Sequence, residues 1–244
     1  MNRRKKEFLY NLTPLLPTSE RRGLLTGKGS NGVTRRIFQI VFCSIVLIIM
    51  SPIMLIISIA IKLSSKGPIL YKGERLGKDR KIFIMYKFRT MYEGTEAIVG
   101  ARLIGEDEGH ITKVGNVIRL FKLDELPQFI NVIKGDMNLI GPRPLRPALY
   151  EKYVLKYPKY TERFKVKPGI SGLAQVKRGY NVKPKNKLRY DLLYIKNRSL
   201  GLDLKLAIYT FFLIIKKGSI GAFYLLFSRF THRQKVKPTV WNTK

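Results

Sequence analysis

Cysteine, histidine and acidic residues are all scarce in this 244-residue chain, and each scarcity narrows the chemistry. The single cysteine, Cys43, lies in an apolar run, so neither a disulfide framework nor a thiolate metal cluster is available. Two histidines, His110 and His232, are too few to build an imidazole metal centre. Acids number 16 against 47 lysines and arginines, a formal net charge of +31. Such an excess implies anionic company, whether nucleic acid, lipid headgroups or phosphorylated substrates. Any catalysis must therefore be carried by carboxylates, hydroxyls and cations. The length suits one domain with a sizeable core, or one domain plus an anchor.

Residues 37–61, "IFQIVFCSIVLIIMSPIMLIISIAI", contain no charge. At ~1.5 Å per residue they are long enough to cross a ~30 Å hydrocarbon core. The run begins too far from the start and is too long for a cleavable signal peptide. A transmembrane span is the ordinary reading, but two features oppose it. Nine Lys/Arg fall in residues 1–36 and nine more in residues 62–90, so a span would export one basic flank. Ser51-Pro52 stands at the centre, where proline removes the hydrogen bond to the carbonyl of Ile48. Ser51 is able to satisfy a freed carbonyl in lipid. These features predict a helix kinked at Ser51 and Pro52 that re-enters the membrane as a hairpin from one side.

Residues 1–32 read as a basic arm that touches anionic lipid. Two β-type runs, 69–72 and 82–88, are joined through Gly77, Lys78 and Asp79. Past the acidic patch Glu106-Asp107-Glu108, helical patterns cover 113–121, 125–134, 187–197 and 202–217. The last is apolar on most of its circumference, which suits burial or a membrane interface. The class predicted is mostly helical α+β: a re-entrant membrane helix hairpin over 33–63, a small cytoplasmic catalytic domain with interfacial amphipathic helices over 64–217, and a basic tail over 218–244.

The adjacent acids of "FKLDELPQFINVIKGDMNLIGPRP" are the chemical focus. Asp124 precedes an apolar run and would serve as a helix N-cap, with Glu125 and Pro127 acceptable in the first turn. Capping and chemistry are compatible, because a helix N-terminus also attracts phosphate. The cationic surroundings favour phosphate: Arg119 and Lys122 upstream, Arg143 in the rigid "GPRP" loop, and Arg75, Lys87 and Arg89 from the hairpin region. An aspartate of ordinary pKa is ionised at neutral pH and attacks phosphorus without an activating base. A carboxylate beside it is suited to hold Mg²⁺.

The chain resembles the bacterial sugar transferases, the monotopic polyprenyl-phosphate phosphoglycosyl transferases. The likeness runs from about residue 33 to about residue 215. It includes the Ser51-Pro52 segment, "KGPILYKGERLGKDRKIFIMYKFRTM", the Asp124-Glu125 stretch through "GPRP", "VKPGISGLAQV" and "YDLLYIKNRSLGLDLKLAIYT". The resemblance implies that Asp124 takes a sugar-1-phosphate from a UDP-sugar, releasing UMP, and passes it to a polyprenyl phosphate such as undecaprenyl phosphate. Glu125 would be the Mg²⁺ ligand, and Arg89 and Arg143 phosphate-binding residues. Asp191 in "YDLLY" matches a further acidic position of the family, here placed among the substrate-binding residues. The implied setting is the cytoplasmic face of the cell membrane, both termini cytoplasmic, with downstream glycosyltransferases as partners. "KRGYN" at 177–181, Pro184 where the family often has tryptophan, and Gly73 where it often has glutamine depart from the family pattern. They direct attention to sugar recognition. A membrane-anchored nucleic-acid-binding or scaffold protein is the rival from another class. No basic recognition helix or nucleic-acid motif supports it, and nucleic acid is not an expected partner.

Overall fold

The computed structural model describes residues 32–95, 110–178 and 183–231. The predicted arm, the acidic patch 106–108 and most of "KRGYN" lie outside these residues. In chain order the elements are α1 (Gly32–Ser64), β1 (Leu70–Leu76), β2 (Ile82–Phe88), α2 (Lys113–Leu120), α3 (Gln128–Lys134), β3 (Asn138–Ile140), α4 (Pro147–Lys156), β4 (Gly169–Ser171), α5 (Leu173–Arg178), α6 (Pro184–Lys196) and α7 (Leu200–Thr231). Short 3₁₀ stretches occupy Lys78–Arg80, Leu123–Glu125 and Pro158–Lys165. The mostly helical α+β expectation is met.

β1 and β2 pair antiparallel from Leu70 opposite Phe88 to Leu76 opposite Ile82. The connecting turn holds Asp79 and Arg80 at φ 55° and 63°, the left-handed region. β3 and β4 form a short parallel pair, Asn138 opposite Gly169 and Ile140 opposite Ser171. This pair fixes the start of the "GPRP" loop, since the Gly141 amide donates to Ser171 O at 2.8 Å and the Gly169 amide to Pro142 O at 3.0 Å. α7 runs to Thr231, past the boundary expected at 217.

Helix α1 is long and apolar enough to cross a membrane, by length and composition. It is continuous through Pro52, so the hairpin break expected there is not present as a helix interruption. The hydroxyl of Ser51 donates to Ile48 O at 2.8 Å, taking over the carbonyl that Pro52 cannot serve. Both ends of α1 are attached to the same folded unit. Near the N-terminus, Arg36 donates to the carbonyls of Val132 and Ile133 (2.6 Å to the latter), which sit at the C-terminus of α3, where a cation is favoured. Arg35 is buried against Asp203 and donates to Ser199 O at 3.2 Å. At the C-terminal end, Arg89 donates to Ser65 O and Lys66 O, both at 2.7 Å, and to the Ser65 hydroxyl at 2.9 Å. Gln39 and Cys43 near one end, and Ile57 and Ile61 near the other, are buried. Between them the helix is exposed, with Ile48 and Ile49 at 72% and 63%.

Candidate functional site

Asp124 and Glu125 do not begin a helix. They form the 3₁₀ turn Leu123–Glu125, preceded by Lys122 in the left-handed conformation (φ 59°) and followed by Pro127 at the N-cap of α3. The capping role open to Asp124 is therefore not the one it plays. Pro127 supplies no side-chain cap, and Asp124 Oδ1 is buried with no hydrogen-bond partner. A left-handed non-glycine residue costs about 1–2 kcal/mol, and Lys122 carries that cost at the entrance to the carboxylate pair.

Two elements bring cations to the pair. From β2, Lys87 Nζ lies 3.0 Å from Glu125 Oε1 and 3.7 Å from Asp124 Oδ2. From the "GPRP" loop, Arg143 Nη2 donates to the same Glu125 oxygen at 2.8 Å. The position of β2 against this turn is set by Asn131 of α3, which is fully buried. Its side-chain amide donates to Ile84 O at 2.7 Å and its oxygen accepts from the Tyr86 amide at 3.0 Å, standing in for a neighbouring strand. Asn131 was not among the residues read from sequence, where it is one polar residue in an ordinary helical pattern.

The two acids are electrostatically unlike. Burial pushes Glu125 up, but Arg143, Lys87 and Lys122 outweigh it and hold its carboxyl well below the usual range. For Asp124 burial prevails: with the charge of Glu125 alongside, it raises the carboxyl above its ordinary value despite Lys87 and Lys122. Burial also lowers the Lys122 ammonium. Glu125 is thus a fixed anion pinned by two cations. Asp124 is the more basic carboxylate, with one oxygen uncommitted.

Three of the expected substrate-binding residues hold other contacts. Arg89 is 6% exposed and secures the end of α1. Arg75 donates to Glu74 O at 2.6 Å and to the Tyr71 hydroxyl at 3.4 Å, with its guanidinium 6.0 Å from the Tyr71 ring. Asp191, 2% exposed on α6, pairs with Arg163 at 2.9 Å. Arg163 escaped sequence reading because "PKYTERFKVKPG" looks like a solvated charged stretch. Pro184 takes the first position of α6. Among the described residues no cluster of three carboxylate, thiol or imidazole groups stands ready for a metal.

A model of the family described as bacterial sugar transferase matches residues 30–217. A UDP-glucose:undecaprenyl-phosphate glucose-1-phosphate transferase of Klebsiella pneumoniae is 41% identical over 200 residues, covering 79% of this chain and 42% of that protein. A UDP-N-acetylgalactosamine-undecaprenyl-phosphate N-acetylgalactosaminephosphotransferase of Aeromonas hydrophila is 42% identical over 172 residues, covering 69% and 40%. The chain thus spans about two fifths of the length of these relatives. The exopolysaccharide production protein PSS of Rhizobium leguminosarum bv. phaseoli is 35% identical over 185 residues, covering 71% of this chain and 91% of that protein.

Proposed function

The chain belongs to the bacterial sugar transferase family, and from that premise we propose that it transfers a sugar-1-phosphate from a UDP-sugar to a membrane polyprenyl phosphate, undecaprenyl phosphate in the bacterial setting. The observation that carries this reading is the uncommitted oxygen of Asp124 beside a Glu125 held by Lys87 and Arg143. Asp124 Oδ1 attacks the phosphorus that bears the sugar. The bond from that phosphorus to the bridging oxygen breaks, and UMP leaves with the electron pair. The phosphosugar is then esterified to Asp124. A phosphate oxygen of the polyprenyl phosphate attacks the same phosphorus, the bond to Asp124 breaks, and the carboxylate is regenerated.

The raised pKa of Asp124 makes its carboxylate a better nucleophile than an ordinary aspartate while leaving it a competent leaving group in the second step. Lys87 and Arg143 place positive charge beside the phosphate oxygens that gain charge in each displacement. Mg²⁺ fits this donor set: two adjacent carboxylates leave most coordination positions to water and substrate phosphate, as this cation prefers. When bound it would neutralise phosphate charge that otherwise repels the anionic nucleophile. Glu125, with Asp124 beside it, would hold it.

The same reading places the protein on the cytoplasmic face of the cell membrane, as a monotopic protein with both termini cytoplasmic. What supports it is the attachment of both ends of α1 to one folded unit while its middle presents exposed isoleucines. The exposed Leu204, Ile208, Phe211 and Phe212 of α7 suit the interface of the same leaflet. Anionic lipid complements the basic surplus, and glycosyltransferases that extend a polyprenyl-linked sugar are the partners this product requires. In a Cys43→Ser background, Thr34→Cys and Lys78→Cys label from the same side of sealed vesicles; labelling from opposite sides would replace re-entry by a span.

The chemistry is tested by UMP release across a panel of UDP-hexoses, with and without polyprenyl phosphate. Radiolabelled sugar phosphate is trapped on the protein when acceptor is withheld, and peptide mapping places it on Asp124. Asp124→Asn abolishes both UMP release and product. Substantial UMP release by that variant would end the covalent mechanism.

A further inference from the structure

We infer that Arg163 is a positioning residue for the transfer, and that Asp191 serves by orienting Arg163 rather than by touching substrate. The inference rests on the reading above that Arg143 and Glu125 belong to the reaction site.

Arg163 is 2% exposed and sits in the 3₁₀ stretch Pro158–Lys165. Its guanidinium lies over the rings of Tyr160 and Phe164, 5.0 and 5.7 Å from their centroids. One nitrogen, Nη2, donates to the main-chain oxygen of Arg143 at 2.7 Å and is ion-paired with Asp191 Oδ2 at 2.9 Å. The side chain of that same Arg143 reaches Glu125 at 2.8 Å. A continuous path therefore leads from Asp191 through Arg163 to the Arg143 backbone, and from the Arg143 guanidinium to the carboxylate beside the nucleophile.

Stability alone does not explain a charged pair in this place. Replacing a buried ion pair by apolar residues of similar volume is often neutral or stabilising, so retaining the charges needs another reason. The loop supplies one. Pro142 and Pro144 donate no main-chain hydrogen bonds, so a short parallel strand pair upstream and the Leu76–Leu145 bond downstream (2.9 Å) leave Arg143 between them. The carbonyl at Arg143 is held by Arg163, which fixes the point from which the Arg143 side chain starts.

The test is a coupling measurement on the full chain in detergent micelles, reading kcat/KM for UMP release and the melting midpoint. Arg163→Lys keeps a charge near Asp191 but replaces the rigid guanidinium donor, held over Tyr160 and Phe164, by a flexible ammonium. It should lower kcat/KM by roughly tenfold or more with little change in melting. In an Arg143→Ala background the same substitution should cost less than about twofold, because its route to the reaction has been removed. A purely structural residue would impose the same loss in both backgrounds, and that result overturns the inference, as does unaltered activity in the single variant. Should Arg163→Lys melt early, Arg163→Met with Asp191→Leu removes both charges together and is held to the same comparison. A wild-type chain that releases no UMP, or an Arg143→Ala variant as active as wild type, would instead sink the underlying reading, and this inference with it.

Discussion

Replacing Glu125 by glutamine removes one charge and leaves the shape. In the wild type a single oxygen, Oε1, accepts from Lys87 at 3.0 Å and from Arg143 at 2.8 Å, on a side chain 8% exposed. Hydrogen bonds to charged groups contribute about 1.5–3 kcal/mol each, and charge-assisted bonds are about twice as strong as neutral ones. Glutamine keeps the acceptor, so the two bonds together lose about 1.5–3 kcal/mol. Relief of repulsion from Asp124 offsets part of this, for a net cost of about 2 kcal/mol. In a domain of this size that lowers the melting midpoint by about 4–8 °C. The pH dependence carries its own sign. Because the folded-state pKa of Glu125 is depressed, its contribution is present above the unfolded value of about 4.3 and is lost as pH falls below it. Melting curves in micelles should show a constant gap between wild type and Glu125→Gln from about pH 7 to about pH 5, narrowing in stronger acid. No gap at neutral pH, or one that widens on acidification, would refute the pinned-anion account. In the transfer assay the same variant should turn over poorly and need more magnesium, while residual adduct still forms on Asp124.

Arg35→Ala unfastens one end of α1, so Cys43, fully buried beside Val132 and Met137, should react with a maleimide much faster than in wild type; unchanged labelling would mean that Arg36 alone holds that end. Gly115→Ala places a methyl group 2.0 Å from Thr90 O; displacing α2 should cost about 1–3 kcal/mol, readable as a lower melting midpoint. Lys187 is pushed down to about 7, chiefly by burial and further by Arg163 and Arg143. The unfolded chain therefore holds more protons between about pH 7 and about pH 10, and stability should rise with pH across that window. Lys187→Met should flatten the rise, and an equal slope in both proteins would show that Lys187 is not its source.

Local chemistry was legible and long-range partnership was not. The β1–β2 hairpin follows from alternating apolar residues around Gly77, and the structure extends the first strand only from Lys72 to Leu76. The serine-proline pair in α1 was readable down to the carbonyl that Ser51 serves, because that bond lies within one helical turn. Asp124 reads as a nucleophile that would also cap a helix, because an acid before an apolar run usually does, and only the cap is missing from the fold. The left-handed backbone at Lys122, which turns it into a 3₁₀ residue, has no signature in a lysine. Arg89 read as a phosphate ligand, yet its carbonyl partners are supplied 23 and 24 residues away. Arg163 and Asp191 stand 28 positions apart in sequence, and only the folded chain sets them together.

The arginines that anchor α1 differ in what they hold, and the difference has a consequence in acid and in salt. Arg36 and Arg89 grip main-chain carbonyls, acceptors that have no proton to gain and no net charge to be screened. Arg35 grips a carboxylate that acid can neutralise, together with the Ser199 carbonyl. Acidification should therefore release the Arg35–Asp203 contact first, leaving the helix still tethered by peptide oxygens. The attachment between the apolar helix and the domain that carries the chemistry is in this respect closer to a backbone hydrogen-bond ladder than to a salt bridge.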